Sequence, residues 1–370
     1  MADVTALVQH GVRTSEFEEF AFPELGEGDV LVRVEANGVC ASDIDLYDAV
    51  DPRWTGAKRI LGHEIVGVIE DMGPKTKPRD ALEVGDRVCV NPFVVCGICS
   101  ACTAGDQAGC TGLRTSLRYG SVPIDVAPSL WGGYSTHVYA PANCILYPVP
   151  PHVSALDATL WNPISGGYEW AVGQGRIRPG QDVLILGPGQ RGLASLLAAR
   201  HAGADRVVLT GLDRDVFKLD LALELGADHV INVEREDAVE RAADITGGRG
   251  FDVVLDTTPH ATQPLVDAVR MVKRMGTIVV IGTKNRTLDG FPIDDVMNKR
   301  VRLQGWAGQS DESFRRAIDL ISSGRYPVER LRTHVFGFDE FDRALQVLAG
   351  KVVGSEAINV VVTPTFSSGD

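Results

Sequence analysis

Short apolar runs interrupted by glycine and proline dominate the first 160 residues of the chain. Clear examples are ValLeuValArgVal at 30–34, IleValGlyValIle at 65–69 and AspArgValCysVal at 86–90. Runs of this length with such boundaries are typical of β-strands. The pattern predicts an all-β module with connecting loops in the N-terminal part of the chain.

The pattern changes from about residue 181, where short apolar runs alternate with segments such as 214–225 and 262–274 that carry apolar residues at helical spacing. Strands joined by helical crossovers indicate a doubly wound parallel sheet. We therefore predict an α/β domain in the second half. Its strand-like runs are 183–186, 207–210, 230–233, 253–256, 278–281 and 301–304.

The C-terminal portion contains helix-like stretches at 311–323 and near 339–349, followed by a strand-like tail at 357–363. This portion is too small for a domain of its own, so we expect it to pack on the N-terminal module. With 370 residues, the chain is long enough for two domains with substantial cores.

Composition narrows the class of protein. Apolar residues make up 44% of the chain and charged residues 23%, which excludes a disordered protein. The net charge of −13 and the lack of basic runs argue against nucleic-acid binding. The N-terminal sequence lacks the pattern of a secretory signal, and no stretch of ~20 apolar residues is present. We expect a cytoplasmic protein, without membrane attachment, whose thiols stay reduced.

A glycine-rich turn, Gly187-Pro-Gly189-Gln-Arg191-Gly192, directly follows the run at 183–186 and precedes a helix-like segment. In this context the spacing is typical of dinucleotide binding. Gly187 permits a tight turn, Gly189 lets the backbone approach a pyrophosphate, and Gly192 allows close packing of helix and strand. Arg191 either contacts a phosphate or is solvated.

The end of the next strand normally supplies a carboxylate to the adenosine ribose. Here that position is Gly211, with Asp213 and Arg214 following. Asp213 could bind the ribose hydroxyls and favour NAD. Alternatively, the missing acid together with Arg214 could accommodate a 2′-phosphate and favour NADP. The sequence leaves both cofactors open.

Four of the seven cysteines lie within fifteen residues, at Cys96, Cys99, Cys102 and Cys110. Four thiolates at this spacing can surround one zinc ion as a tetrahedron. An iron–sulfur cluster also uses four cysteines, but the spacing fits the common cluster patterns less well. Because every coordination position would be filled by protein, we interpret this site as structural.

A second set of candidate metal ligands comes from two separate β-rich segments, with Cys40 in one and His63 in the other. Each stands near a carboxylate, and Asp43 could orient the histidine. A lone cysteine and a lone histidine are usually structural. Their coexistence with a dinucleotide turn and a zinc lobe points to a catalytic zinc.

In combination, the CysAlaSerAsp segment at 40–43, GlyHisGlu at 62–64, GlyAspArgVal at 85–88, the cysteine lobe and the glycine-rich turn resemble the zinc-containing medium-chain alcohol dehydrogenase family. The resemblance spans nearly the whole chain. It implies a chaperonin-10-like catalytic domain completed by C-terminal residues, a Rossmann domain, and a cleft between them for zinc and NAD(P). The implied domains are 1–163 with 307–370, including a zinc lobe at about 91–112, and 164–306.

The resemblance also implies roles for individual residues. Cys40 and His63 would hold zinc, with Glu64 beside them as a neighbour or an exchanging ligand, and Ser42 would carry the substrate proton away. The family's third protein ligand falls here on Asn162, where a neutral amide replaces a thiolate or carboxylate. Backbone groups near three residues would hold the nicotinamide carboxamide: Thr257, Ile281 and Thr283.

We hypothesise that zinc is still bound, by Cys40, His63 and Glu64, with Asn162 nearby or coordinating through its amide oxygen. The expected activity is hydride transfer between an alcohol and a nicotinamide cofactor, with the carbonyl as product. A metal-independent reductase of activated C=C or C=O bonds is the alternative, and Asn162 is its only support. A non-enzymatic cofactor-binding protein is a third reading. The resemblance further implies a homodimer or homotetramer.

Overall fold

The computed structural model describes residues 4–51, 54–76, 81–111 and 117–365. These residues form two compact units. The first runs to Asn162 and takes in 321–323 and the chain from Val328 onward, and the second comprises Pro163–Leu320 and Gly324–Pro327. None of the helices in the described part of the chain has the length and apolar character needed to cross a membrane.

The first unit is built on antiparallel strands, as the short apolar runs predict. Its larger sheet has the order β16-β17-β3-β5-β6-β7, and a smaller sheet has the order β2-β1-β4. The strands are β1 (Val4–Gly11), β2 (Thr14–Phe20), β3 (Val30–Val39), β4 (Arg59–Ile60), β5 (Glu64–Met72), β6 (Arg87–Val94), β7 (Leu117–Arg118), β8 (His137–Ala140), β9 (Cys144–Pro148), β16 (Arg332–Gly337) and β17 (Asn359–Thr363).

C-terminal residues complete this unit. Strand β17 pairs with β3, so the strand-like tail joins the N-terminal sheet as expected. A cluster of buried apolar side chains from both ends of the chain fills the space between the sheets, including Val4, Leu46, Phe341 and Val360. The helices of this part of the chain are α1 (Ala41–Tyr47), α2 (Ser100–Thr103), α3 (Ala155–Ala158) and α11 (Phe341–Leu348).

The second unit is a doubly wound parallel sheet. Its strand order is β12-β11-β10-β13-β14-β15. The chain adds strands on one side of β10 as far as β12 and then on the other side from β13, and Rossmann-type folds bind dinucleotides at this switch between β10 and β13. The elements are α4 (Trp161–Tyr168), β10 (Asp182–Leu186), α5 (Gln190–His201), β11 (Arg206–Gly211), α6 (Val216–Glu224), β12 (His229–Asn232), α7 (Ala238–Thr246), β13 (Phe251–Asp256), α8 (Gln263–Met271), β14 (Val272–Val280), α9 (Ile293–Lys299), β15 (Arg302–Gly305) and α10 (Asp311–Ser322). A π-helical turn at Glu169–Gln174 follows α4.

Two boundaries differ from the patterns in the sequence. The helical spacing at 262–274 extends past the end of α8, because Val272 already adopts an extended conformation and begins β14. The second compact unit also continues to Leu320, beyond the predicted domain boundary at 306. The buried Glu169 carboxylate accepts hydrogen bonds from the Ser310 N–H (3.1 Å) and hydroxyl (2.6 Å), which fix this segment to the second unit.

Candidate active site and dinucleotide site

Cys40 lies where strand β3 ends and helix α1 begins. Its extended backbone makes it the residue that caps the helix. The Cys40 N–H donates to a carboxylate oxygen of Asp43 at 2.9 Å, and the Asp43 N–H donates to the Cys40 carbonyl at 3.0 Å. This reciprocal pair satisfies two backbone groups at the helix start and fixes Asp43 beside the thiol.

His63 is held by the same carboxylate. Its Nδ1 lies 3.3 Å from Oδ1 of Asp43, and the hydroxyl of buried Tyr134 donates to the other oxygen at 3.1 Å. Both the histidine and Asp43 are buried. Because Nδ1 faces Asp43, Nε2 is the ring nitrogen left for a metal ion, the arrangement that orients metal-binding histidines in other proteins.

Glu64 follows His63 at the first position of β5, directly opposite Gly38 of β3. A Cβ at position 38 would lie 2.2 Å from Oε2 of Glu64, so only glycine leaves room for the carboxylate there. The antiparallel register thus places a buried acid over a glycine, one residue from the histidine.

Cys40, His63 and Glu64 converge. One ligand atom from each lies within 4.8 Å of the others. Burial by itself raises the pKa of Cys40, but the hydrogen bond and charge of His63 outweigh it and lower that pKa to about 6. Burial likewise lowers the pKa of His63, whereas the charge and hydrogen bond of Asp43 raise it to about 10. Anionic sulfur, neutral imidazole nitrogen and carboxylate oxygen are the donors that zinc prefers, so this set fits the ion once His63 releases its proton.

Two further predicted residues lie in the same unit. The Ser42 hydroxyl oxygen is buried beside Cys40, whose pKa its hydrogen bond helps to lower. Asn162 is buried at the second position of α4.

The cysteine lobe brings its four sulfurs together. The sulfur of Cys99 lies 3.4 Å from the sulfur of Cys102 and 4.0 Å from that of Cys110. The sulfur of Cys96 lies 3.9 Å from that of Cys102. A tetrahedron whose corners are about 2.3 Å from its centre has edges of about 3.8 Å, so the cluster fits one zinc ion. A disulfide would need a separation near ~2.05 Å.

Backbone groups favour thiolates in this lobe. The N–H of Cys96 points to the sulfur of Cys110 at 3.3 Å, and the N–H of Cys99 points to the sulfur of Cys96 at 3.4 Å. A backbone hydrogen bond from Cys102 is the largest influence on Cys99 and lowers its pKa to about 5, whereas burial and the neighbouring Cys99 sulfur raise the pKa of Cys102. Phe93 and Val95 pack against the cluster. Cys89 is buried in β6 and Cys144 is half-buried in β9, and neither belongs to either group of candidate metal ligands.

The glycine-rich turn of the second unit has the geometry that the sequence predicts. Gly187 has a φ of +96°, and a Cβ on Gly192 would lie 1.9 Å from the Gly187 carbonyl oxygen. Gly189 caps helix α5 with no atom within 4 Å of its missing side chain, which leaves its backbone open to a ligand. Arg191, in the first turn of α5, lies with its guanidinium 5.7 Å from the centre of the Trp170 ring.

The surroundings of Gly211, the last residue of β11, explain why no acidic residue stands at this position. A Cβ on Gly211 would lie 2.9 Å from Pro188 of the turn, so no larger side chain fits there. Asp213 instead accepts hydrogen bonds from Asn232 at 2.7 Å and Arg235 at 2.5 Å. Asn232 ends β12, so Asp213 leans away from β10 and its turn. Arg214 is exposed.

Three residues beyond the strand ends were predicted to meet the nicotinamide carboxamide. The Thr257 hydroxyl donates to the Leu186 carbonyl at 2.7 Å, beside the turn. The Ile281 N–H donates to the Asp256 carbonyl at 2.9 Å, and the Thr283 carbonyl accepts from the His260 N–H at 3.0 Å. The Ile281 N–H and the Thr283 carbonyl are therefore already hydrogen-bonded within the protein.

The roles of some residues of the site could not be predicted from the sequence. Gly38 could have been found only by aligning β3 against β5, and Tyr134 is 91 residues from the Asp43 to which it donates. Lys284, which binds the end of β13, has no motif of its own.

Both compact units match known protein families. Residues 26–151 match the model of the alcohol dehydrogenase GroES-like domain, and residues 192–323 match that of the zinc-binding dehydrogenases. A "probable alcohol dehydrogenase" of Mycobacterium tuberculosis is 36% identical over 366 residues, covering 98% of this chain and 99% of the relative.

Two further relatives extend the comparison. An erythritol/L-threitol dehydrogenase of Mycolicibacterium smegmatis is 31% identical, with 97% of each chain covered. A zinc-binding dehydrogenase of Sinorhizobium meliloti, solved with NADP bound, is 26% identical, has a TM-score of 0.83, and covers 98% of this chain and 99% of its own. The chain belongs to the zinc-containing medium-chain alcohol dehydrogenase family and is an oxidoreductase.

Proposed function

We propose that the protein is a zinc-dependent dehydrogenase that transfers hydride between an alcohol and a nicotinamide dinucleotide, with the aldehyde or ketone as partner. The observation that carries this proposal is the convergence of Cys40, His63 and Glu64 within 4.8 Å, in a chain that also has a dinucleotide turn. The names of relatives, which include erythritol/L-threitol and sorbitol dehydrogenases, extend the proposed substrates to polyols.

When bound, zinc supplies Lewis-acid polarisation of a substrate oxygen, and the nicotinamide supplies the hydride acceptor or donor. Cys40, His63 and Glu64 hold the metal ion in this proposal, and Asn162 lies nearby or coordinates through its amide oxygen. Asp43 keeps the His63 ring oriented through its 3.3 Å contact with Nδ1. The buried Ser42 hydroxyl accepts the substrate proton and passes it toward solvent.

The dinucleotide pyrophosphate binds over the Gly187–Gly192 turn, where the first N–H groups of α5 and its dipole favour an anion. Arg191 adds positive charge at this point. Backbone groups near Thr257, Ile281 and Thr283 hold the carboxamide. NAD and NADP are both candidates, and a direct comparison of their affinities belongs to the test.

Cys96, Cys99, Cys102 and Cys110 hold a second, structural zinc ion that stabilises the lobe at about 91–112. A cytoplasmic location and a homodimer or homotetramer are further parts of the proposal.

The test follows the absorbance of the reduced cofactor with a panel of alcohols and polyols, before and after treatment with a chelator. Turnover that chelation abolishes and added zinc restores supports the proposal. Reduction of activated C=C bonds that chelation leaves unchanged would instead support the metal-independent reductase, for which the neutral amide of Asn162 is the one favourable observation. Cofactor binding without turnover of any substrate would contradict both.

A further inference from the structure

A buried ion pair stands at the carboxyl end of β13. The Lys284 ammonium lies 2.8 Å from Oδ2 of Asp256, whose side chain is 0% exposed, and the lysine itself is 13% exposed. Lys284 also donates to the carbonyl of Thr258 at 2.5 Å and to its hydroxyl at 3.0 Å. The other oxygen of Asp256 accepts from the Thr258 N–H at 3.1 Å and hydroxyl at 2.6 Å.

This pair adjoins the dinucleotide turn. Asp256 is the register partner of Leu186, the last residue of β10, and neighbouring strands lie about 4.8 Å apart. Thr257 connects the two strand ends, because its hydroxyl lies 2.7 Å from the Leu186 carbonyl and 3.2 Å from that of Gly187. Asp256 therefore belongs to a strand end that adjoins the turn over which an anionic pyrophosphate would bind.

An unpaired carboxylate in this position would repel the ligand, since charge interactions are strong where water is excluded. Lys284 is the cation that neutralises it, and it reaches Asp256 from the loop after β14. We propose that Lys284 is a positioning residue for the dinucleotide. It cancels the charge of Asp256, so that the turn accepts an anionic ligand. This inference rests on the proposed dinucleotide binding.

Strands β13 and β14 provide a matched control. Lys273, near the start of β14, forms an ion pair with Asp252 near the start of β13. It has the same chemistry as the Lys284 pair but stands at the amino end of the sheet, away from the turn. A Lys273→Met variant removes an ammonium group from the same two strands without changing the charge beside the ligand.

The test measures dissociation constants of NADH, NADPH and ADP-ribose by calorimetry, without a substrate. We expect Lys284→Met to weaken the binding of all three by at least about tenfold. Lys284→Arg keeps the charge and should remain within about threefold of the wild type. The Asp256→Asn/Lys284→Met double variant removes both charges, retains an oxygen for Thr258, and should recover most of the affinity. Lys273→Met should bind as the wild type does.

A merely structural lysine gives a different pattern, because loss of its bonds to Thr258 would persist in the double variant. Equal weakening in Lys284→Met and the double variant would therefore overturn the inference, as would unchanged affinity in Lys284→Met. If Lys284→Met does not fold, as judged by circular dichroism, the comparison of Lys284→Arg and the double variant with the wild type decides. Failure of the wild type to bind any of the three ligands would instead overturn the proposed function.

Discussion

Replacing Gly38 with alanine adds one methyl group beneath the carboxylate of Glu64. The new Cβ would lie 2.2 Å from Oε2, whereas ordinary contacts begin at 3.4 Å, so the oxygen has to retreat by about 1.2 Å. Metal–ligand distances tolerate changes of only about 0.2 Å. The carboxylate would therefore leave the ligand set formed with Cys40 and His63.

The fold itself should tolerate this change. The atom displaced is the far end of a side chain, and overpacking of this kind costs about 1–3 kcal/mol. The zinc affinity of the Cys40 site should fall by at least about tenfold, the effect seen when the surroundings of a metal ligand are disturbed. The result would be a nearly normal melting temperature combined with easy loss of one zinc ion.

The assay is zinc content by elemental analysis after dialysis against increasing chelator concentrations. The cysteine lobe serves as an internal reference, because its ligands are independent of Gly38. Gly11→Ala is the matched control, since Gly11 lies in a strand of the same unit with no atom within 4 Å of its missing side chain. If Gly38→Ala retained both zinc ions as firmly as the wild type, Glu64 would not be a ligand.

Three other variants test separate parts of the account. Ser42→Ala should lower kcat by about 10²–10⁴-fold while the cofactor dissociation constant stays unchanged, and steady-state kinetics with an unaltered kcat would exclude the proton-transfer role. Cys110→Ser should remove one zinc ion and lower the melting temperature, because a structural zinc site stabilises its fold; full zinc content in this variant would refute the four-thiolate site. Gly192→Ala places a Cβ 1.9 Å from the Gly187 carbonyl oxygen, so dinucleotide binding measured by calorimetry should be lost, and wild-type affinity would contradict the close packing of the turn.

Much of the fold follows from local patterns. The runs at 183–186 and 253–256 lie within β10 and β13, because wholly apolar strands are the usual components of a sheet covered on both faces. The pattern failed at 262–274, where Val272 and its neighbours continue the helical spacing although the chain has turned into a strand. Periodicity alone does not record the position where a tertiary contact ends a helix.

The residues of the candidate site also differ in how far they can be predicted from the sequence. Ligand residues such as Cys40 and His63 can be found from short motifs, since their chemistry and spacing are local. Residues that support them depend on distant contacts. Gly38 matters only through its register with Glu64, and Tyr134 only through its bond to Asp43. At Asp213 the sequence suggests a role that the folded protein does not favour. Its position suggests a ribose ligand, but its carboxylate accepts hydrogen bonds from Asn232 and Arg235.

The most direct test of the central claim is the zinc content of the purified protein beside that of its Cys40→Ser variant. We expect two zinc ions per chain in the wild type and one in the variant, with the remaining ion held by the four cysteines of the lobe. One zinc ion per chain in both proteins would show that Cys40, His63 and Glu64 hold no metal ion, and would contradict the proposed mechanism.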